Sequence, residues 1–168
     1  MKLPPVPIAA ASSVLFVCMG NICRSPTAEA VFRAAAAQRG LANAIVADSA
    51  GTGDWHVGQP PDRRAIQAAR RRGYDLTALR ARQVGPADFS RFGWILAMDT
   101  TNLRALQEMR PRGFGGHLGL FLELAPALGV RDVPDPYYGG HEGFERVLDL
   151  VEVASAALLV RVAGEPRR

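Results

Sequence analysis

The chain has 168 residues, of which 48% are hydrophobic and 21% are charged, so it can build one well-buried domain but not two of ordinary size. Its net charge of +4 favours anionic substrates, but the arginines are scattered and no aromatic residues alternate with them. We therefore expect no nucleic-acid surface. Because no apolar run approaches the roughly 18 residues that span a bilayer, we also expect no membrane segment.

The N-terminal segment, residues 1–12, resembles a signal peptide in its lysine and its apolar and small residues. Three prolines interrupt its apolar stretch, however, so we expect a disordered arm and a cytoplasmic protein. Export by this segment is the alternative. We expect one domain over 13–163, followed by a short tail over 164–168.

Apolar runs and helical patterns alternate along the rest of the chain. In chain order, the patterns predict a strand at 13–18, a helix at 26–40, a strand at 44–51, a helix at 62–72, a strand at 94–99, a helix at 100–109, a strand at 117–124 and a helix at 142–163. Apolar strands between helices predict an open parallel sheet with helices on both faces. Ligands of such sheets bind beyond the carboxyl ends of the strands, so the loop that follows Cys18 is the expected site.

This loop has the composition of an anion-binding site. Its glycine and small residues can turn successive N–H groups inward, and the following helix adds its positive end. Neither G-x-x-x-x-G-K-[ST] nor G-x-G-x-x-G occurs in it, so we expect no nucleotide P-loop and no dinucleotide site. The sequence predicts a cradle for a single phosphate group.

Cys18 and Arg24 add chemistry to the predicted cradle. The loop dipoles, the helix end and Arg24 all favour the nucleophilic thiolate. Arg24 lies six residues after Cys18, and its guanidinium can also bind two phosphate oxygens in a fork. Ser25 can donate to the sulfur when the sulfur becomes a leaving group. A small buried apolar side chain is the other interpretation of Cys18, and the G-N-x-C-R-S-P that follows argues against it.

Metal chemistry has no support in the sequence. Cys18 and Cys23 are the only cysteines, and C-x4-C alone is not a zinc motif. The three histidines, His56, His117 and His141, do not have the spacing of metal ligands. We expect no metal and no other cofactor.

The segment "VCMGNICRSPTAE" at 17–29 resembles the signature loop of the low-molecular-weight protein tyrosine phosphatases. The segments "DSAG" at 48–51, "WHVG" at 55–58 and "DPYY" at 135–138 also resemble segments of that family, and the resemblance extends over 13 to about 163. It implies an α/β fold of the phosphotyrosine protein phosphatase I type. That fold has a four-stranded parallel sheet of order 2-1-3-4 with helices on both faces.

The resemblance also implies the roles of three residues. Cys18 would attack phosphorus and form a cysteinyl-phosphate, Arg24 would clamp the phosphate, and Asp135 would be general acid and then base. Pro134 and Pro136 restrict the backbone at Asp135, although an aspartate beside prolines is also an ordinary turn residue.

Further residues are expected to complete the site. Phosphate or substrate would contact Met19, Gly20, Asn21, Ile22, Cys23, Ser25, Trp55, Tyr137 and Tyr138. Ser49 resembles the hydrogen-bonding partner of Asn21, and Asp99 resembles the acid that supports the rim. Many family members have a histidine where this chain has Leu79, so we expect an incomplete support for the loop. Cys18 and Cys23 are expected to form a disulfide under oxidation, and a small residue that only fills space in the loop is the other interpretation of Cys23.

The expected substrate is a phosphotyrosine protein, for which a bacterial tyrosine kinase is one candidate, and the expected state is a monomer. Three other functions stay open. Protein arginine phosphatases typically have a threonine at the position of Ile22, and arsenate reductases of this fold need two more cysteines. A non-catalytic phosphate-binding module would lack one of the three catalytic residues.

Overall fold

A computed structural model describes residues 12–164 and contains a four-stranded parallel sheet. Its strands are β1 (Ser13–Cys18), β2 (Val46–Gly51), β3 (Trp94–Ala97) and β4 (His117–Leu120), in the order β2-β1-β3-β4. The predicted fold class and strand order are therefore confirmed. Because β1 is a central strand, the loop that follows it opens in the middle of the carboxyl edge of the sheet.

Five α-helices accompany the strands in the described part of the chain. They are α1 (Arg24–Gln38), α2 (Arg63–Arg71), α3 (Asp88–Arg91), α4 (Thr100–Met109) and α5 (His141–Ala163). Two short 3-10 helices, Phe121–Leu124 and Pro126–Leu128, follow β4.

The side chains of β1 alternate between two apolar cores, as those of a strand buried on both faces must. Val14, Phe16 and Cys18 belong to a larger core that includes residues of α1 and α5. Leu15 and Val17 belong to a smaller core that includes residues of α3 and α4. In the larger core, Phe16 makes edge contacts with the rings of Phe32 and Phe121. This packing fixes the strand that ends at Cys18.

The prediction for the fourth strand is wrong beyond Leu120. The chain leaves the sheet there, and Phe121–Leu124 forms a 3-10 helix that buries Phe121 and Leu122 in the larger core. A short apolar run is compatible with a strand or with a buried helical turn, and its pattern does not distinguish them. Helix α3 was not predicted, since four residues are too few to show a helical period.

The other elements agree with the predictions within a few residues. The third strand ends at Ala97, not at residue 99, because Asp99 is the N-cap of α4 and accepts a hydrogen bond from the Asn102 amide. Helix α1 begins at Arg24, two residues earlier than predicted, which brings that arginine into its first turn.

Apart from Ser12 and Gly164, the predicted arm and tail lie outside the described residues, and the domain limits stay predictions. Within 12–164, the structure contains no helix that could cross a membrane.

Candidate active site

Cys18 is the last residue of β1 and lies buried at the floor of the loop, with 2% of its surface exposed. Its Sγ lies 2.9 Å from Ser25 Oγ, and the backbone N–H of Asn21 donates to the same sulfur at 3.2 Å. The predicted hydroxyl contact to the sulfur is therefore present. The sulfur thus accepts from the loop backbone and lies within hydrogen-bonding distance of the Ser25 hydroxyl.

Asn21 shapes the loop through its backbone and its side chain. Its φ of 56° is the only positive φ of a non-glycine residue among those described, a conformation that asparagine tolerates better than most residues. Its Nδ2 donates to Ser25 Oγ at 2.8 Å and to Ser49 Oγ at 3.0 Å, and its Oδ1 accepts from the Arg82 amide. The predicted pairing of Asn21 with Ser49 is present.

Ser49 connects this hydrogen-bond network to Glu29, a buried acid that the sequence analysis did not identify. Its hydroxyl donates to Glu29 Oε1 at 2.7 Å, and Arg33 binds the other carboxylate oxygen at 2.9 Å. Burial raises the pKa of Glu29 above its ordinary value, against the hydrogen bond from Ser49 and the charge of Arg33, which lower it. Leu79 packs against the larger core. The expected gap in the loop support is therefore absent, because Glu29 accepts the Ser49 hydrogen bond.

The end of β2 lies against the loop at Gly51. A Cβ on Gly51 would lie 2.6 Å from the Met19 carbonyl oxygen, so only glycine allows this approach. The Thr52 and Gly53 amides donate to the carbonyls of Cys18 and Met19 at 2.9 and 3.0 Å. These bonds fix the first half of the loop.

Arg24 is almost fully buried, and two acceptors fix one end of its guanidinium. Its Nη1 donates to Asp99 Oδ2 at 2.6 Å and to the Val133 carbonyl at 3.0 Å. Its Nη2 lies 3.9 Å from Asp135 Oδ2. Burial opposes the charge of Arg24, but Cys18 and Asp99 outweigh burial and raise the pKa of the guanidinium. Asp99 thus has the supporting position that the resemblance implied.

Asp135 lines the same cavity as Cys18 and Arg24, and about a third of its side chain is exposed. Its Oδ1 accepts from the Tyr137 amide at 3.1 Å. A carboxylate within reach of Arg24 and open to solvent is placed to exchange a proton with a bound molecule.

The cavity between these groups has a volume of about 420 Å³. It is lined by Cys18, Met19, Gly20, Ile22, Cys23, Arg24, Trp55, His56, Asp135, Tyr137 and Tyr138. The predicted phosphate-binding and aromatic residues therefore meet at one cavity, with Asn21, Ser25 and Ser49 in the network beneath it. Trp55 and Tyr138 are 67% and 90% exposed, as residues of an entrance rather than of a core.

Cys23 lines the same cavity but differs from Cys18 in its surroundings. Burial, followed by the charges of Asp62, Cys18 and Asp135, raises the pKa of its thiol far above the ordinary value. Cys23 is therefore protonated at neutral pH and is the poorer nucleophile. Among residues 12–164, no three or more His, Cys, Asp or Glu side chains form a cluster that could hold a metal ion.

The family model for the low molecular weight phosphotyrosine protein phosphatases matches residues 13–167. The chain belongs to this family. One relative, the low molecular weight protein-tyrosine-phosphatase of Streptomyces coelicolor, is 47% identical over 89% of this chain and 92% of its own length. Another, YfkJ from Bacillus subtilis, is 44% identical over 91% of this chain and 97% of its own length.

Solved structures of the family share the fold. The crystal structure of YfkJ covers 92% of this chain and 96% of its own, with a TM-score of 0.83 and 43% identity. An arginine phosphatase from Drosophila superimposes with the same TM-score, 0.83, at 30% identity, and covers 89% of this chain and 97% of its own. The fold by itself therefore does not distinguish tyrosine from arginine substrates, whereas the matching family model and the named relatives are tyrosine phosphatases.

One lining residue of this family member, His56, was missed as a site residue. The sequence shows it only as part of "WHVG" and as a histidine without metal-ligand spacing. Its Nδ1 lies 2.9 Å from Gln59 Oε1. The ring lies against Gly20. The sequence signal that could have identified His56 is its position next to Trp55, which was predicted to line the entrance.

Proposed function

We propose that this protein hydrolyses phosphotyrosine in proteins through a cysteinyl-phosphate intermediate. The observation that carries the proposal is the arrangement of Cys18, Arg24 and Asp135 around one cavity with an aromatic entrance. A nucleophile at the floor, a fixed cation beside it and a carboxyl at the entrance are the groups that transfer of a phosphoryl group from an aryl ester requires.

Cys18 is the proposed nucleophile. Its sulfur attacks phosphorus, an S–P bond forms, and the bond from phosphorus to the phenol oxygen breaks. In the second half-reaction water attacks phosphorus, phosphate leaves, and Ser25 Oγ at 2.9 Å stabilises the departing thiolate. The Asn21 amide supports the same charge from the loop.

Asp135 is the proposed general acid and base. It gives its proton to the phenol oxygen as the P–O bond breaks, and then takes a proton from the attacking water. Arg24 is the proposed phosphate clamp, because Asp99 and the Val133 carbonyl hold one end of its guanidinium and orient the remaining donors.

The entrance supports selectivity for an aryl phosphate. Trp55, Tyr137 and Tyr138 offer flat apolar surfaces to a phenol ring, and the Tyr137 and Tyr138 rings contact each other edge to face at 4.9 Å. A phosphotyrosine side chain is long enough to bring its phosphate to Cys18 at the floor. Phosphoserine would hold its phosphate too close to its own backbone.

Phosphoarginine is the second candidate substrate, because an arginine phosphatase from Drosophila shares the fold. Ile22 lines the cavity of this chain. Its side chain has no hydroxyl for a guanidino group and occupies more room than a threonine. Ile22 therefore supports the tyrosine substrate.

We further propose a cytoplasmic location, because a catalytic thiolate and its neighbouring thiol need a reducing compartment to stay active. A monomer would suffice, since one chain supplies every lining residue of the cavity. A bacterial tyrosine kinase that carries phosphotyrosine is one candidate substrate.

The test compares phosphate release from phosphotyrosine, phosphoserine and phosphoarginine peptides of one sequence, with a metal chelator present. We expect turnover of the phosphotyrosine peptide well above the other two. Cys18→Ser should abolish it while inorganic phosphate still binds. Comparable rates on phosphotyrosine and phosphoserine, or turnover by Cys18→Ser, would exclude the proposal, and faster turnover of phosphoarginine would favour the second candidate.

A further inference from the structure

The residues just before Asp135 in the chain are bound firmly to the rest of the domain. The Val133 amide donates to the Met98 carbonyl at 2.8 Å, and the Val133 carbonyl accepts from Arg24. One residue earlier, Asp132 accepts from the amide and the hydroxyl of Thr100 at 3.1 and 2.9 Å. This side of the loop is thus bound to the end of β3 and the start of α4.

On the far side of Asp135, the loop is held by Arg64 of helix α2. Its Nη2 donates to the Tyr137 carbonyl at 2.9 Å, and its Nη1 donates to the Gly139 carbonyl at 3.4 Å. The guanidinium also lies over two rings, 5.5 Å from the centre of Tyr137 and 4.8 Å from that of Phe144. One side chain therefore fixes the backbone and the ring of Tyr137.

Tyr137 connects this clamp to Asp135 directly. The Tyr137 amide donates to Asp135 Oδ1 at 3.1 Å, while the carbonyl of the same residue accepts from Arg64. A shift of the Tyr137 backbone would therefore move the hydrogen-bond donor that orients the Asp135 carboxyl.

Arg64 is itself fixed through Asp62 to the proposed phosphate-binding loop, residues 19–23 between β1 and α1. The two side chains form a forked ion pair, with Nε to Oδ1 at 3.0 Å and Nη2 to Oδ2 at 2.9 Å. The Asp62 amide donates to the Ile22 carbonyl at 2.8 Å, and its carboxylate caps α2. The path from Ile22 through Asp62, Arg64 and Tyr137 thus joins the phosphate-binding loop to Asp135.

We propose that Arg64 is a positioning residue that holds Asp135 at the distance from the phosphate at which it can protonate the leaving group. This proposal rests on the proposed function, because it assigns Arg64 a part in the acid step of that reaction. Arg64 touches no reacting atom, and its effect on the Asp135 carboxyl passes through the Tyr137 backbone. Loss of the clamp therefore weakens proton donation to the phenol oxygen while Cys18 and Arg24 keep their contacts.

The experiment compares Arg64→Met with Arg63→Met, a neighbouring exposed arginine on the same helix turn, and measures kcat/KM, which includes the acid step. The substrates are phenyl phosphate, whose phenol needs a proton to leave, and 2,4-dinitrophenyl phosphate, whose phenol leaves without one. We expect Arg64→Met to lower kcat/KM for phenyl phosphate roughly ten- to a hundred-fold, with a much smaller loss for the dinitrophenyl ester. Arg63→Met should resemble the wild type on both.

A double variant with Asp135→Asn tests whether Arg64 acts on the reaction through the Asp135 carboxyl. If Arg64 acts through that carboxyl, then Arg64→Met added to Asp135→Asn should change kcat/KM for phenyl phosphate little further. Equal losses on the two esters, or the full loss in the Asp135→Asn background, would overturn the proposal and make Arg64 a structural residue only.

Arg64→Lys keeps the charge without the fork and provides a second variant if Arg64→Met does not fold. It should show the same contrast between the two esters in smaller degree, and equal losses would again overturn the proposal. Failure of the proposed function would be seen earlier and separately, as a wild type that hydrolyses neither ester.

Discussion

The hydroxyl of Ser49 donates a 2.7 Å hydrogen bond to the buried carboxylate of Glu29. Since Asn21 Nδ2 donates to Ser49 and to Ser25, and Ser25 contacts the Cys18 sulfur, a continuous chain of hydrogen bonds joins an acid of α1 to the proposed nucleophile. The loop that follows Cys18 is thus supported by buried polar groups.

The raised pKa of Glu29 predicts a particular pH dependence of stability. Because this carboxyl binds its proton more tightly in the folded chain, its contribution to stability is complete below its ordinary pKa of 4.5 and is lost as pH rises through the raised value. We expect the wild type to lose free energy of unfolding relative to Glu29→Gln as pH rises from about 4 to 7, by about 1.4 kcal/mol for each unit of pKa difference.

Urea unfolding of both proteins at several pH values measures this difference. Glu108→Gln, at an exposed position of α4, is the control and should follow the wild type. If the free energies of unfolding of the wild type and Glu29→Gln change in parallel with pH, burial does not raise the pKa of Glu29.

Leu79→His tests whether the loop support needs a histidine. Leu79 packs against the larger core, while Asn21 and Ser49 already have hydrogen-bonding partners. We expect unchanged turnover and a free energy of unfolding lowered by about 1–3 kcal/mol, because a polar ring replaces an apolar side chain in a site without a free partner. Leu79→Met, which keeps the volume, should retain most of the stability. A faster enzyme of unchanged stability would contradict this account.

The neighbouring thiols Cys18 and Cys23 predict reversible inactivation. Peroxide oxidises the Cys18 thiolate to a sulfenic acid, and the Cys23 sulfur then displaces water to form the disulfide, which dithiothreitol reduces to two thiols. After peroxide treatment, dithiothreitol should restore activity to the wild type but not to Cys23→Ala, whose Cys18 oxidises further. Full recovery of Cys23→Ala would show that Cys23 only fills space. Mass spectrometry of the oxidised wild type, two hydrogens lighter, identifies the bond.

Trp55 is expected to bind the aryl group of the substrate. Its ring lies over Gly53, where a Cβ would come within 1.7 Å of the Trp55 Cζ3 atom, so Gly53 allows the ring its present position. Trp55→Ala should raise KM for phenyl phosphate several-fold and change inhibition by inorganic phosphate less, since phosphate has no ring to contact. Gly53→Ala should also raise KM for phenyl phosphate, because its methyl group would displace the Trp55 ring. Val57→Ala, in the same exposed loop, is the control, and equal effects on phenyl phosphate and phosphate would contradict the role.

Local pattern predicted the parallel sheet and the anion-binding loop after Cys18, whereas the strand order and the role of Asp135 were implied by the resemblance to the family. The alternation of apolar strands and helices predicted the parallel sheet. The groups that contact the Cys18 sulfur, the Asn21 amide in the loop and the Ser25 hydroxyl in the first turn of α1, lie within seven residues of it. Such short-range features are visible in sequence because chain connectivity already holds these residues together.

Contacts between distant segments were decided only by the tertiary structure. The 3-10 turn after Leu120, the acceptor role of Glu29, the position of His56 and the clamp of Arg64 on Tyr137 each depend on which elements pack together. Arg64 and Tyr137 are 73 residues apart, so no local period connects them. The burial that raises the pKa of Glu29 likewise exists only once α1 has packed against the sheet, because desolvation is a property of the folded core.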